Sequence, residues 1–186
     1  MEAVENKKVL FHNVEDGGIF KIGNTDYIKF PDVGGKTPVV ARAVLLDSDF
    51  GDNNDTRSSC IIKKLQEEYL PEVIAAVGNE NVCEFITDLT TLDGLRPYED
   101  MKSRASLVTL DFYRKHVEIF DKYPVNDWWW LATPESAMPH GKPWYTICVS
   151  PSGRIVLDGN CYDDIGVRPF YILNSSIFGS SEASNG

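Results

Sequence analysis

The sequence predicts an α+β fold. Three observations carry this reading. Short apolar runs separated by turn signals fill the first 46 residues and the last third, and two stretches between them space apolar residues at helical intervals. No repeat or linker interrupts the chain, so 186 residues with 42% hydrophobic content suit a single core. The simplest organisation is one domain over residues 10–178, with an extension over residues 1–9 and a flexible, apolar-poor tail over residues 179–186.

The elements follow in order. Ile19-Phe20-Lys21-Ile22 and Tyr27-Ile28-Lys29-Phe30 flank Gly23-Asn24, two residues that tolerate positive φ, which predicts a hairpin. Residues 38–46 are almost wholly apolar and read as a central strand. An acidic loop over residues 47–55 precedes Thr56, Ser58 and Ser59, any of which can cap a helix with apolar Ile61, Ile62, Leu65 and Tyr69. Pro71 opens a further turn that Gly78-Asn79 closes. Residues 82–87 read as a strand and residues 88–104 as loop. Thr109 then caps a second helix whose face carries Leu110, Tyr113, Val117 and Phe120. From Trp128 onward, runs over residues 128–132, 144–149, 154–157 and 167–173 read as a β-meander, turning at Pro151-Ser152-Gly153 and Asp158-Gly159-Asn160.

Charge narrows the function. Eighteen basic against 28 acidic residues leave a net charge of −10 and no basic cluster, so direct nucleic-acid binding is not expected. An acidic surface can instead mimic nucleic acid and occupy a basic groove on another protein. The opening residues hold two acids and no apolar stretch, which reads as the absence of a secretory signal and as cytoplasmic synthesis. The apolar runs are too short to span a bilayer, for which about 20 residues are needed. Cys60, Cys83, Cys148 and Cys161 form no C-x-x-C pair and read as buried free thiols.

Three pieces carry a resemblance: the capped helix that begins Asp55-Thr56-Arg57-Ser58-Ser59-Cys60, the stretch Trp128-Trp129-Trp130-Leu131-Ala132-Thr133-Pro134, and the ending Gly166-Val167-Arg168-Pro169. In this order they resemble a family of domains of unknown function from Firmicutes and their phages, marked by W-W-L-R-S-P and a closing G-V-R-P strand. Here Leu131-Ala132-Thr133-Pro134 replaces the arginine-bearing part, so no role for that arginine carries over. The family is similar to C-type-lectin-like and formylglycine-generating-enzyme folds. That implies two helices flanking a small mixed, mostly antiparallel sheet, with a loop-rich ligand face beside the C-terminal meander. The resemblance also implies a phage or prophage origin, which leaves association with a virion open.

Trp128, Trp129 and Trp130 alternate faces if they form a strand, so at least one packs in the core and another can be exposed. Together with Gly166, Arg168 and Pro169 they read as structural. Arg168 in a strand suggests a guanidinium held by a carboxylate or stacked on an indole. The ligand surface is expected at Trp144, Tyr145, Asp158, Asn160, Tyr162, Asp163 and Asp164, where rigid aromatic faces mix with short polar groups. Ordinary solvated turns share that composition. Asp47-Ser48-Asp49-Phe50-Gly51 opens like an EF-hand but has Ser58 where the glutamate belongs. Calcium is then possible only if Asn126-Asp127 meets Asp163-Asp164, and otherwise no cofactor or metal is expected. His12, His116 and His140 lie in no catalytic motif, and His116 reads as a core-edge or surface residue. The formylglycine-generating resemblance raises the question whether Cys148 and Cys161 meet across the meander. The sequence therefore reads as a non-catalytic module recognising a surface glycan or protein. The alternative is an intracellular phage-encoded inhibitor of a host defence protein, either an acidic nucleic-acid mimic or a nucleotide binder.

Overall fold

The computed structural model describes residues 8–180. The first seven and last six residues, which hold most of the expected extension and tail, lie outside the described residues. The chain begins with β1 (Lys8–Leu10), β2 (Ile19–Ile22), β3 (Thr25–Lys29), β4 (Lys36–Ala41) and β5 (Leu46–Ser48). The β2–β3 hairpin turns on Gly23, whose φ of 59° is positive. Asn24 keeps a negative φ, so the two-residue turn follows the II′ pattern.

The first helical segment runs from α1 (Cys60–Lys64) through a π-turn over Leu65–Tyr69 into α2 (Leu70–Val77). Ser59 caps it by accepting from the Ile62 N–H. The widened turn lets Pro71, which has no N–H to donate, sit inside one continuous helix rather than start another. β6 (Phe85–Thr87) pairs with β7 (Met101–Ser103), a strand inside the stretch read as loop; three residues with no apolar run leave no periodic signal.

Thr109 caps α3 (Leu110–Lys115) as expected, accepting from the Phe112 N–H. At His116 the backbone breaks (φ −121°, ψ 23°) before α4 (Val117–Phe120). This break turns Val117 out to solvent, correcting the single face drawn through it, while Leu110, Tyr113 and Phe120 stay buried. The chain ends with β8 (Trp129–Pro134), β9 (Tyr145–Val149), β10 (Ile155–Asn160), β11 (Ile165–Val167), β12 (Phe170–Asn174) and β13 (Phe178–Ser180).

The architecture is α+β, but the strands form more than one small sheet. An antiparallel sheet runs β1-β13-β2-β3-β4-β12, a mixed sheet runs β10-β9-β8-β11-β5, and β6-β7 stands apart. Of the C-terminal strands expected to form a meander, β8, β9 and β10 do so. After it the chain returns so that β11 lies parallel to β8, and β12 then joins β4 in the other sheet. Asp158, Gly159 and Asn160 belong to β10 rather than to a turn; the reversal falls over residues 161–164.

The central strands of both large sheets are covered on both faces. Alternate residues of β3, β4, β8, β9 and β12 divide between two cores: Tyr27, Val39, Trp130 and Tyr171 face the side of the first helical segment, and Ile28, Val40, Trp129 and Phe170 face α3 and α4. Burial of an aromatic or aliphatic side chain is worth about 1.5–3 kcal/mol, so these two cores supply most of the driving force. No helix among the described residues is long and apolar enough to cross a membrane.

Candidate functional site

The expected ligand residues fall into two adjoining groups on the meander. At one end of the β9–β10 ladder, Asn160 pairs with Tyr145, and the Cys161 N–H donates to the Trp144 carbonyl at 3.0 Å. Trp144, Tyr145, Asn160 and Tyr162 therefore gather at one tip. Tyr162 is 65% exposed and Trp144 37%, with the Lys142 ammonium 5.2 Å from the Trp144 ring centre. The Asn160 Oδ1 accepts from the Tyr162 N–H at 3.1 Å and fixes the turn.

Beneath this tip lies a residue that sequence reasoning missed. Asn54, placed in a solvated acidic loop, is fully buried. Its Nδ2 donates to the Ser136 carbonyl (2.8 Å) and the Tyr145 carbonyl (2.7 Å), and its Oδ1 accepts from the Tyr98 hydroxyl (2.6 Å). No local pattern could signal it, because all three partners are more than 40 positions away.

The second group is Asp158, Asp163 and Asp164, which line a cleft of about 360 Å³ with Asp127 and Trp128. Trp128 is 42% exposed, so the core holds Trp129 and Trp130 but not all three tryptophans. Alternation sends Trp129 and Trp130 into opposite cores, and Trp128 precedes the strand. Two glycines make the cleft possible. A Cβ on Gly159 would lie 2.8 Å from the Trp130 ring and 2.9 Å from the Thr146 carbonyl, and one on Gly166 would lie 2.5 Å from the Trp128 carbonyl that its N–H bonds. The fold thus brings Asp127 to the same cleft as Asp163 and Asp164. Yet no three histidine, cysteine, aspartate or glutamate side chains among the described residues are placed to hold a metal ion.

Arg168 stacks rather than pairs. Its guanidinium carbon lies 4.7 Å from the Trp129 ring centre and 5.4 Å from that of Phe120. Nε and Nη2 donate to the carbonyls of Ala41 (3.0 Å) and Arg42 (3.2 Å). Pro169 accepts from the Ala41 N–H at 2.9 Å, completing the link to β4.

Burial pushes the Cys148 thiol up to about 11 and the Cys161 thiol up to about 12, so neither is a thiolate at neutral pH. Nor do they meet: Cys161 lies opposite Trp144, four positions along β9 from Cys148, about 13 Å at roughly 3.3 Å per residue. His116 is half-buried against Phe30 and Phe112, and desolvation lowers its pKa, followed by the charge of Lys115. Asp93 accepts from the Ser136 hydroxyl (2.8 Å) and contacts the His140 Nδ1 (3.1 Å). These are the residue types of a nucleophilic triad in an order that cannot work, because the carboxylate stands between the hydroxyl and the imidazole. Hydrogen bonds, that from Thr91 foremost, hold the Asp93 carboxyl down to about 2.

Comparison with protein-family models, curated proteins and solved structures gives no match to this chain.

Proposed function

We propose that this protein is a non-catalytic binding module that recognises a glycan through the outer face of its meander. The observation that carries this reading is the cleft where the exposed Trp128 indole stands beside Asp127, Asp158, Asp163 and Asp164. A sugar offers the complementary surface. Its C–H face stacks on an indole, and its hydroxyls donate to carboxylate oxygens. Trp144 and Tyr162, at the neighbouring tip, extend the aromatic surface for further sugar units or for a carrier protein. The resemblance to C-type-lectin-like domains of Firmicutes and their phages supports the same face, and with it a phage-borne role at a cell surface.

The test is a glycan array that includes bacterial wall polysaccharides, followed by calorimetry on the hits. Trp128→Ala and the double variant Asp163→Asn, Asp164→Asn should each weaken binding at least about tenfold, the scale of losing one anchor residue. An array with no hit, or hits unchanged in both variants, overturns the reading.

One observation favours a second reading. Four carboxylates around one cleft, on a chain of net charge −10, also suit a basic groove on a host protein. Co-purification of a basic host protein, with affinity falling steeply as salt is added, would replace the glycan by that partner.

A further inference from the structure

A separate cleft of about 400 Å³ opens where the chain passes from one sheet to the other, and Arg168 forms part of its wall. Arg168 is 2% exposed, yet no carboxylate pairs with it among the described residues. Two of its nitrogens are spent on the Ala41 and Arg42 carbonyls, and Nη1 has no acceptor in the described protein. Asp121 lies on the rim, exposed, and forms no ion pair with it. A buried cation is normally paired, because desolvation is only partly offset by carbonyl dipoles and aromatic faces. Burial accordingly holds the guanidinium pKa down to about 10.

The rest of the wall divides into two kinds. Tyr123, Pro124 and Val125 make an apolar side. The lining also includes the turn that carries Ser150 and Ser152, whose hydroxyls lie 3.0 Å apart. The Ser150 oxygen also accepts from the Arg154 N–H at 3.1 Å. The two hydroxyls hold two protons and use one between them, so one is left to donate into the cleft.

We propose that this cleft binds a small organic oxyanion, a carboxylate or phosphate monoester on a flat apolar ring. Arg168 Nη1 and the Ser150–Ser152 pair hold the charged group, and Tyr123 and Pro124 flank the ring. The chain's net charge of −10 disfavours long polyanions. The proposal does not rest on the glycan reading. Trp128→Ala should leave this site intact, so the two can fail separately.

The experiment is a titration followed by NMR at the Arg168 Nε–H and the Trp129 indole N–H, using phenyl phosphate, benzoate, inorganic phosphate and, as a cationic control, benzylamine. Saturable shifts are expected with phenyl phosphate or benzoate at about millimolar concentration or below, weaker with inorganic phosphate and absent with benzylamine. Arg168→Gln should abolish them. Since that side chain is buried, Ser152→Trp provides the second arm: it fills the mouth from an exposed turn and should weaken binding at least about tenfold with the other resonances unmoved. No saturable shift with any anion, or shifts unchanged in Ser152→Trp, would overturn the site. Equal affinity for inorganic phosphate would overturn the ring-bearing ligand.

Discussion

Asn54 joins three parts of the chain through one amide, and its removal leaves the Ser136 carbonyl without its donor and the Tyr98 hydroxyl without its acceptor, while the Tyr145 carbonyl keeps the Glu135 N–H at 3.3 Å. Buried unsatisfied groups cost about 1–3 kcal/mol each, so Asn54→Ala should lower stability by roughly 2–4 kcal/mol in urea unfolding, with faster amide exchange around Trp144. Asp93 gives a pH-dependent counterpart. Its folded pKa of about 2 lies below the ordinary 3.8, so its contribution is complete above that value and fades as pH falls toward 2. Asp93→Asn should therefore lower the urea midpoint near neutrality, only modestly because solvent screens this exposed carboxylate, and almost not at all near pH 2, read as converging midpoints. A gap that stays constant with pH would show that the carboxylate charge is irrelevant. These residues were not legible in the sequence, because a buried amide and a solvated one share the same letter. Trp129, Trp130 and Arg168 were legible because their size and charge leave few other placements.

Among the elements, β2 falls where the hairpin was read, Ile19–Ile22, whereas the run read as one strand over residues 38–46 ends as β4 at Ala41 and resumes as β5 at Leu46. Val39-Val40-Ala41 and Trp129-Trp130-Leu131-Ala132 read as unbroken apolar runs because each successive side chain enters a different core. The helix cap at Thr109 was visible, and Ser59 was one of three candidates for the other. What escaped was tertiary: the π-turn that admits Pro71, the break at His116, and the return of β11 beside β8. That return depends on the bare Cα of Gly166. Gly166→Ala should force β8 and β11 apart and cost about 1–3 kcal/mol, the range for overpacking. Loss of the Gly166 N–H to Trp128 bond should appear as raised amide exchange at that position; an unchanged exchange rate would mean that the strands yield without separating.

For the whole molecule, charge and partner class are linked. A neutral glycan gains little from a surface of −10, so its affinity should change less than about threefold as ionic strength rises and the Debye length shrinks from about 10 Å to 3 Å. A basic protein partner should lose far more over the same range, so a single salt series separates the two readings. The cleft residues Asp158, Asp163 and Asp164 were named from turn chemistry, but their meeting with Trp128 needed the parallel return of β11. Three neighbouring indoles now sit in three media: Trp128 in water, Trp129 under a cation, and Trp130 in the core with its N–H on the Ser48 carbonyl at 2.8 Å. Emission spectra from the three single Trp→Phe variants would resolve them into separate optical reporters, so that one tripeptide signals occupancy of the outer face, of the seam between the sheets, and the integrity of the interior.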